Sequence, residues 1–400
     1  MGASFGLRRP ADLPADETLP DDEPELARRV RDEISTHGPM TFARFMEIVL
    51  YDPERGYYAT DAPRAGRSGD FLTAPEAHPI FGWAIARQVD EVWRRLGSPD
   101  RFVLREHGAG SGALGEAILD RLRREGSSLA ERIRYQPVET SPERLAAVGA
   151  RLTSAGLADH LETNTAAPIV GVVLANELLD ALPVHRVEGW LDGSLREVFV
   201  GLDDEGKLVD VVDEPSSPAV AERLAAEEVA LAPGQRAEVC IALDGWVAAA
   251  GAAFERGLLL LIDYGYPAAK LYDAGQRPGG TLRAYVRHRV HADPYRHLGR
   301  QDLTAHVDLT AVARAAGAAG LTPLGRTTQA EFLAGLGAGE LLAAFEAAAP
   351  TDLQAALEAR AALRRMLDPA VTGRFRVLAF GRDLAGEPPL RGFSYSLPRR

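Results

Sequence analysis

Phe102-Val-Leu-Arg-Glu106-His-Gly108-Ala-Gly110-Ser-Gly112-Ala-Leu114 reads as a short buried strand, a glycine-dense turn and the start of a helix near Ala113. Glycine at every second position lets the backbone turn sharply and leaves no Cβ between it and a ligand. The free N–H groups that open the helix then favour an electronegative or anionic group. Further strand–helix alternation follows this unit, which implies a parallel α/β sheet with right-handed crossovers.

Two cofactors fit the turn. Gly108, Gly110 and Ala113 satisfy the permissive dinucleotide pattern G-x-G-x-x-G/A. Gly108, Gly110 and Gly112, with Ala109 between the first two, satisfy the G-x-G-x-G loop of S-adenosylmethionine (SAM) methyltransferases equally well. A dinucleotide strand is usually apolar up to its turn, whereas Arg105, Glu106 and His107 are polar. An acid at Glu106 can reach the cationic methionine end of SAM and gains little from a pyrophosphate. The loop therefore favours SAM. An NAD(P)-dependent oxidoreductase and a turn that binds nothing stay open.

Composition narrows the classes. A chain of 400 residues, 46% hydrophobic, can bury one large elaborated core or two. Its net charge of −12 argues against nucleic acid as a partner, because phosphate contacts need cations. No apolar run approaches a membrane span. The single cysteine, Cys240, fits a reducing compartment, and a cytoplasmic location is expected. Scarce lysine and asparagine against abundant Ala, Arg and Gly suggest a GC-rich bacterial genome. The composition leaves a homodimer open.

The chain divides into an acidic, Pro-rich tail over 1–24, expected to be disordered, a helical cap over 25–100 and a main domain over 101–385. A short tail over 386–400 ends it. Within the main domain Phe102–Glu106, Arg134–Glu139, Val170–Ala175 and Leu258–Ile262 read as strands, with helices over 112–124, 142–153 and near 243–254. Residues 184–240 switch to period-two patterning around Asp192-Gly193 and Asp203–Gly206, which predicts an inserted β-hairpin subdomain. Residues 266–310 read as a long polar loop. Ala330–Asp368 reads as C-terminal helix and Phe375–Phe380 as a final strand.

Ligands of an open α/β sheet sit outside the carboxyl ends of its strands. That rule nominates Glu106–Gly112, Glu139, Asn176–Asp180 and Asp263–Gly265. Glu139 ends the second strand, where a carboxylate grips ribose hydroxyls; with Thr140 and Ser141 it also suits a helix cap. Asn176 offers donor and acceptor to a cofactor, or is itself a helix N-cap, with Glu177 beside it. The His-rich run Arg287–His297 suggests a metal, but Arg287 and Arg289 flank His288 and would repel one, so no metal is assigned.

In order along the chain, Gly38-Pro-Met-Thr-Phe-Ala-Arg-Phe-Met46, Tyr51-Asp-Pro-Glu-Arg-Gly-Tyr-Tyr58, Gly69-Asp-Phe-Leu-Thr-Ala-Pro-Glu76 and the glycine loop are followed by Asn176-Glu-Leu-Leu-Asp-Ala-Leu-Pro183. Then come Ile262-Asp-Tyr-Gly265, Thr281-Leu-Arg-Ala-Tyr285 and Asp302-Leu-Thr-Ala-His-Val-Asp308. This set resembles the MidA-like methyltransferases, relatives of a mitochondrial complex I assembly factor that methylates an arginine. The loop departs from the family's usual form at Ala109, Ser111 and Ala113 while keeping the glycines and the leading acid.

The resemblance implies a Rossmann-like class I methyltransferase sheet with N-terminal helical cap, inserted hairpins and C-terminal helices. It implies that the blocks holding Asp70, Thr73, Asn176–Asp180, Arg283 and His306–Asp308 converge over the SAM methyl group, in one pocket floored by the glycine loop. The acceptor would be a protein, a peptide or a small molecule. For an arginine, Glu177 and Asp180 would share one face of a helix start and orient the guanidinium. For a carboxylate or hydroxyl, Arg283, His306 and Asp308 would supply charge or a general base. A non-catalytic SAM-binding assembly factor is the alternative, since a fold does not guarantee activity.

Overall fold

A computed structural model of the chain describes residues 19–59, 73–287, 289–348 and 350–396. Asp70 and His288 lie outside the described residues, as do residues 1–18 of the acidic tail. In chain order the first strands are β1 (Phe102–His107), β2 (Ile133–Val138) and β3 (Ile169–Asn176). Next come β4 (His185–Gly189), β5 (Leu195–Leu202), β6 (Leu208–Asp213), β7 (Arg236–Val239) and β8 (Phe254–Asp263). Then follow β9 (Gly265–Tyr266), β10 (Arg283–Val286), β11 (Arg289–His291), β12 (Asp302–Thr304) and β13 (Val307–Asp308). The last are β14 (Thr322–Thr328) and β15 (Arg376–Arg382).

The central sheet has the order β14-β15-β8-β3-β1-β2. β1 runs parallel between β2 and β3, and β3 runs parallel to β8. Both faces of these strands are apolar: Phe102, Leu104 and Val172 face the helices Ile80–Arg95 and Ala113–Arg124, whereas Val103, Val173 and Leu259 face Ala242–Ala252 and Leu309–Ala318. Continuous burial of this kind is why the strands read as apolar runs without alternation. The chain reverses direction across the sheet at β1, so a crevice opens between the carboxyl ends of β1 and β3.

The expectation of a parallel sheet fails at the final strand, β15, alone. β15 runs antiparallel to both β8 and β14. The predicted long helix is three, Gln329–Gly335, Ala338–Ala348 and Leu353–Leu367. They leave from Thr328 and return beside it, since Arg376 pairs with Thr328 and with Asp263. A chain that returns to the edge it left must run back the other way.

Residues 184–240 form an antiparallel sheet, β6-β5-β4-β7, with the helix Pro218–Ala226. Residues 266–310 are not the expected loop. They hold the sheet β11-β10-β12, and Leu282, Ala284, Leu298, Leu303 and Ala305 are buried with Val200 against the helices Pro24–His37 and Phe42–Tyr51. The described part of the tail is tied down too: Leu298 N–H donates to Asp22, and Glu23 N–H to the Leu298 carbonyl. The helix Ile80–Arg95 packs instead on the central sheet. No helix among the described residues is long and apolar enough to cross a membrane.

Candidate functional site

Gly108, Gly110 and Gly112 carry φ of +68°, +57° and +78°, left-handed values that favour glycine. Space above the loop differs along it. A Cβ on Gly108 would lie 2.6 Å from Leu178 Cδ1, whereas one on Gly110 would approach nothing closer than the Gly108 carbonyl at 4.0 Å. Gly110 is thus the open point of the cradle, and Leu178, from the turn after β3, closes one side of it. Ala109 is buried and its carbonyl accepts from Gly112 N–H.

Two carboxylates reach this loop. Glu139, just beyond β2, accepts the Gly110 N–H and the Thr140 N–H. The helix Pro142–Ser154 is capped by Ser141, whose hydroxyl accepts from Arg144 N–H, so Glu139 does not cap it and stands over the loop. Glu76, on the short helix Ala74–Ala77 that Thr73 precedes, accepts from the Ser111 hydroxyl. Glu76 was not singled out from sequence. A lone acid in a turn-rich stretch carries no signal until folding sets it beside Ser111.

Glu106 points the other way. It is 3% exposed, accepts from Tyr135 Oη at 2.7 Å and from Gly115 N–H, and supports the loop from beneath. Burial pushes its pKa up to about 8 against those two donors. Gly115 makes room for this arrangement, since a Cβ there would sit 2.3 Å from Tyr135 Cζ.

The turn after β3 carries the acids. No α-helix starts at Glu177. The residue has φ +49° and leads into a 3₁₀ turn, Leu179–Ala181, so Glu177 and Asp180 do not share a helix face. Asn176 ends β3 instead of capping a helix; its amide donates to Glu177 Oε1 at 3.2 Å, and its buried Oδ1 has no partner among the described residues. The turn is held by Asp263, at the end of β8. Its Oδ2 accepts the N–H groups of Leu178, Leu179 and Asp180 at 3.2, 2.8 and 3.3 Å, and its Oδ1 that of Tyr264 at 2.8 Å.

Glu177 also accepts from Ala74 N–H, and Asp180 from Tyr264 Oη. Burial, then the Asp180 charge, pushes Glu177 up to about 8. Burial, then Asp263, raises Asp180 well above the usual carboxylate range. Among the described residues neither forms a salt bridge with an arginine or lysine. Tyrosines pack beside this turn: Tyr51 donates to the Ala181 carbonyl at 2.9 Å and Tyr58 to Asp302 at 2.7 Å.

The predicted blocks do meet at this edge. Ser111 bonds Glu76, Ala74 bonds Glu177, and the Asp180 carbonyl accepts from Ala305 N–H at 2.9 Å. His306 packs its ring against Tyr264 and Tyr266, with centroids 5.3 and 5.5 Å away. Burial, then Arg277, Arg374 and Arg283, pushes it down to about 3, which makes it a weak base. Arg283 is exposed and donates to the Leu282 carbonyl. Asp308 is engaged elsewhere: it caps the helix Leu309–Ala318 through Thr310 and Ala311 N–H, with Glu227 and Tyr272 as neighbours.

These features suit SAM: an open left-handed glycine loop, a carboxylate at the end of β2, and an orphaned amide oxygen at the end of β3. Residues 84–327 match a family model described as "Putative S-adenosyl-L-methionine-dependent methyltransferase". A Mus musculus protein named mitochondrial protein arginine methyltransferase NDUFAF7 is 31% identical over 78% of this chain and 74% of its own. The Drosophila melanogaster homolog of that name is 29% identical over 72% and 69%. A crystal structure from Burkholderia thailandensis, bound to S-adenosyl-homocysteine, is 34% identical with a TM-score of 0.83, covering 94% of this chain and 98% of that one. By that family model this chain belongs to the family of SAM-dependent methyltransferases.

Proposed function

We propose that the chain methylates a nitrogen of a peptide arginine. One observation carries the reading: Glu177 and Asp180 are buried acids at the sheet's open edge, with raised pKa values and no ion-pair partner among the described residues. Such a pair is completed by a cation, which restores their ionised forms. A guanidinium offers forked donors that match carboxylates. The names of the mouse and fly relatives agree with it.

Bound SAM supplies a methyl group on a sulfonium, with a neutral thioether as leaving group. The protein aligns the acceptor with it. Glu177 and Asp180 hold the guanidinium and Asp263 fixes the turn that carries them. Tyr51, Tyr58 and Tyr264, buried beside the turn, keep water from it. A guanidinium nitrogen forms the new N–C bond as the S–C bond breaks, and its displaced proton passes to Glu177 or Asp180, whose raised pKa values suit them to hold it.

Peptides containing arginine, lysine, glutamate or serine, incubated with methyl-labelled SAM, test this directly. Label on arginine, lost in Glu177→Gln and Asp180→Asn while S-adenosyl-homocysteine still binds, is the expected result. Label on another residue type overturns the assignment.

A further inference from the structure

Near the acidic turn stand cations that the methylation chemistry does not use. Arg277 lies over the Tyr266 ring, its Cζ 4.0 Å from the centroid, and Tyr266 packs on His306. Arg283 opens β10 opposite Thr304, and two residues earlier Thr281 Oγ1 accepts from His306 N–H at 3.0 Å. Arg374 precedes Phe375, whose ring packs on Tyr264 at 5.2 Å. All three depress the protonation of His306, which agrees with their gathering around that ring.

Arg277 and Arg283 bond only to backbone carbonyls, of Lys270 and Leu282, and form no ion pair among the described residues. Elsewhere on this acidic chain arginines find carboxylates, as Arg44 finds Glu33 and Arg236 finds Glu188. We infer that the surface around His306 receives acidic polypeptide: the methylated arginine lies in a stretch rich in Asp and Glu, whose carboxylates dock on Arg277 and Arg283. The inference rests on the arginine reading above.

The charge order explains why flanking acids are needed. A lone guanidinium bound for Asp180 and Glu177 meets the like charges of these arginines, whose field reaches over a screening length of roughly 8–10 Å. Carboxylates beside it in the sequence, spaced roughly 3.3 Å per residue in an extended chain, cancel that repulsion and take up the planar guanidinium forks. The two acids and the arginines together select a cation with anions on either side.

Three peptides sharing one central arginine, with acidic, uncharged or lysine flanks, give the test. The acidic peptide is expected to exceed the uncharged one in kcat/KM by roughly tenfold at low salt, as two or three solvent-exposed ion pairs allow. The advantage shrinks with added salt, and the ratio falls towards one in Arg277→Gln/Arg283→Gln. Equal kcat/KM for acidic and uncharged peptides overturns the inference. A second measurement separates it from the arginine reading: the acidic peptide with its arginine replaced by glutamine, titrated onto protein saturated with S-adenosyl-homocysteine. Binding that weakens in the double variant upholds acidic docking even if no arginine is methylated. Equal binding to wild type and variant refutes it.

Discussion

The Asp263 carboxylate, at the end of one strand, accepts the Leu179 N–H from the turn after the neighbouring strand at 2.8 Å. With the Leu178 and Asp180 N–H groups on the same oxygen, it forms an anion-filled nest that fixes the backbone between Glu177 and Asp180. Asp263 thus sets where the two acids on the turn stand.

Asp263→Asn puts an amide where four N–H groups expect a carboxylate, so at least one donor loses its partner. The turn shifts, and kcat is expected to fall on the order of ten- to a hundredfold, as misalignment of reacting groups does. Affinity for S-adenosyl-homocysteine should stay within a few-fold. Single-turnover kinetics beside calorimetry checks the split; equal losses in both would mean that Asp263 supports the whole sheet edge.

Glu139 stands over Gly110, the one loop position with open space above it. Glu139→Ala should weaken S-adenosyl-homocysteine binding by about 2–4 kcal/mol through two lost charge-assisted hydrogen bonds. Thermal stability should change little, because Ser141 caps the following helix. Unchanged affinity in calorimetry would remove Glu139 from the cofactor site.

The sheet's parallel half was legible because β1, β3 and β8 are apolar on both faces and end in polar residues. β14 was not: Thr322-Pro-Leu-Gly-Arg-Thr-Thr328 is polar, broken by Pro and Gly, and irregular at Pro323–Gly325. Leu282, Ala284 and Leu303 gave no warning of a folded insertion, since short strands with one buried face look like loop between His and Arg residues. In the site, strand-end acids were visible as candidates, but their orientation was not. Glu106 turns inward to Tyr135, and Asp308 is taken by a helix end, both decided by packing partners distant in sequence.

Glu106 makes stability depend on pH. Its folded pKa, about 8, lies above the ordinary carboxylate value, so the folded state holds a proton that the unfolded chain releases. The associated stability is fully present below about pH 4.5 and is lost as pH rises through about 8. Glu106→Gln keeps an acceptor for Tyr135 and cannot ionise. Its melting temperature should fall less than that of wild type between pH 5 and pH 9, and parallel curves would show that the proton resides elsewhere.

The same sign governs catalysis. Glu177 must be ionised to receive a guanidinium, and in the free enzyme burial and then the Asp180 charge hold its pKa up to about 8. Since kcat/KM reports ionisations of the free enzyme, it should rise with pH and level off above about 8. Asp180 is the second cause of that shift, so Asp180→Asn should move the acid limb to lower pH while lowering the plateau, because half of the guanidinium clamp is gone. Burial remains, so the limb should stop short of the ordinary glutamate value. A plateau that falls with no movement of the limb would show that Glu177 and Asp180 titrate independently, and would assign the limb to another group at the sheet's open edge.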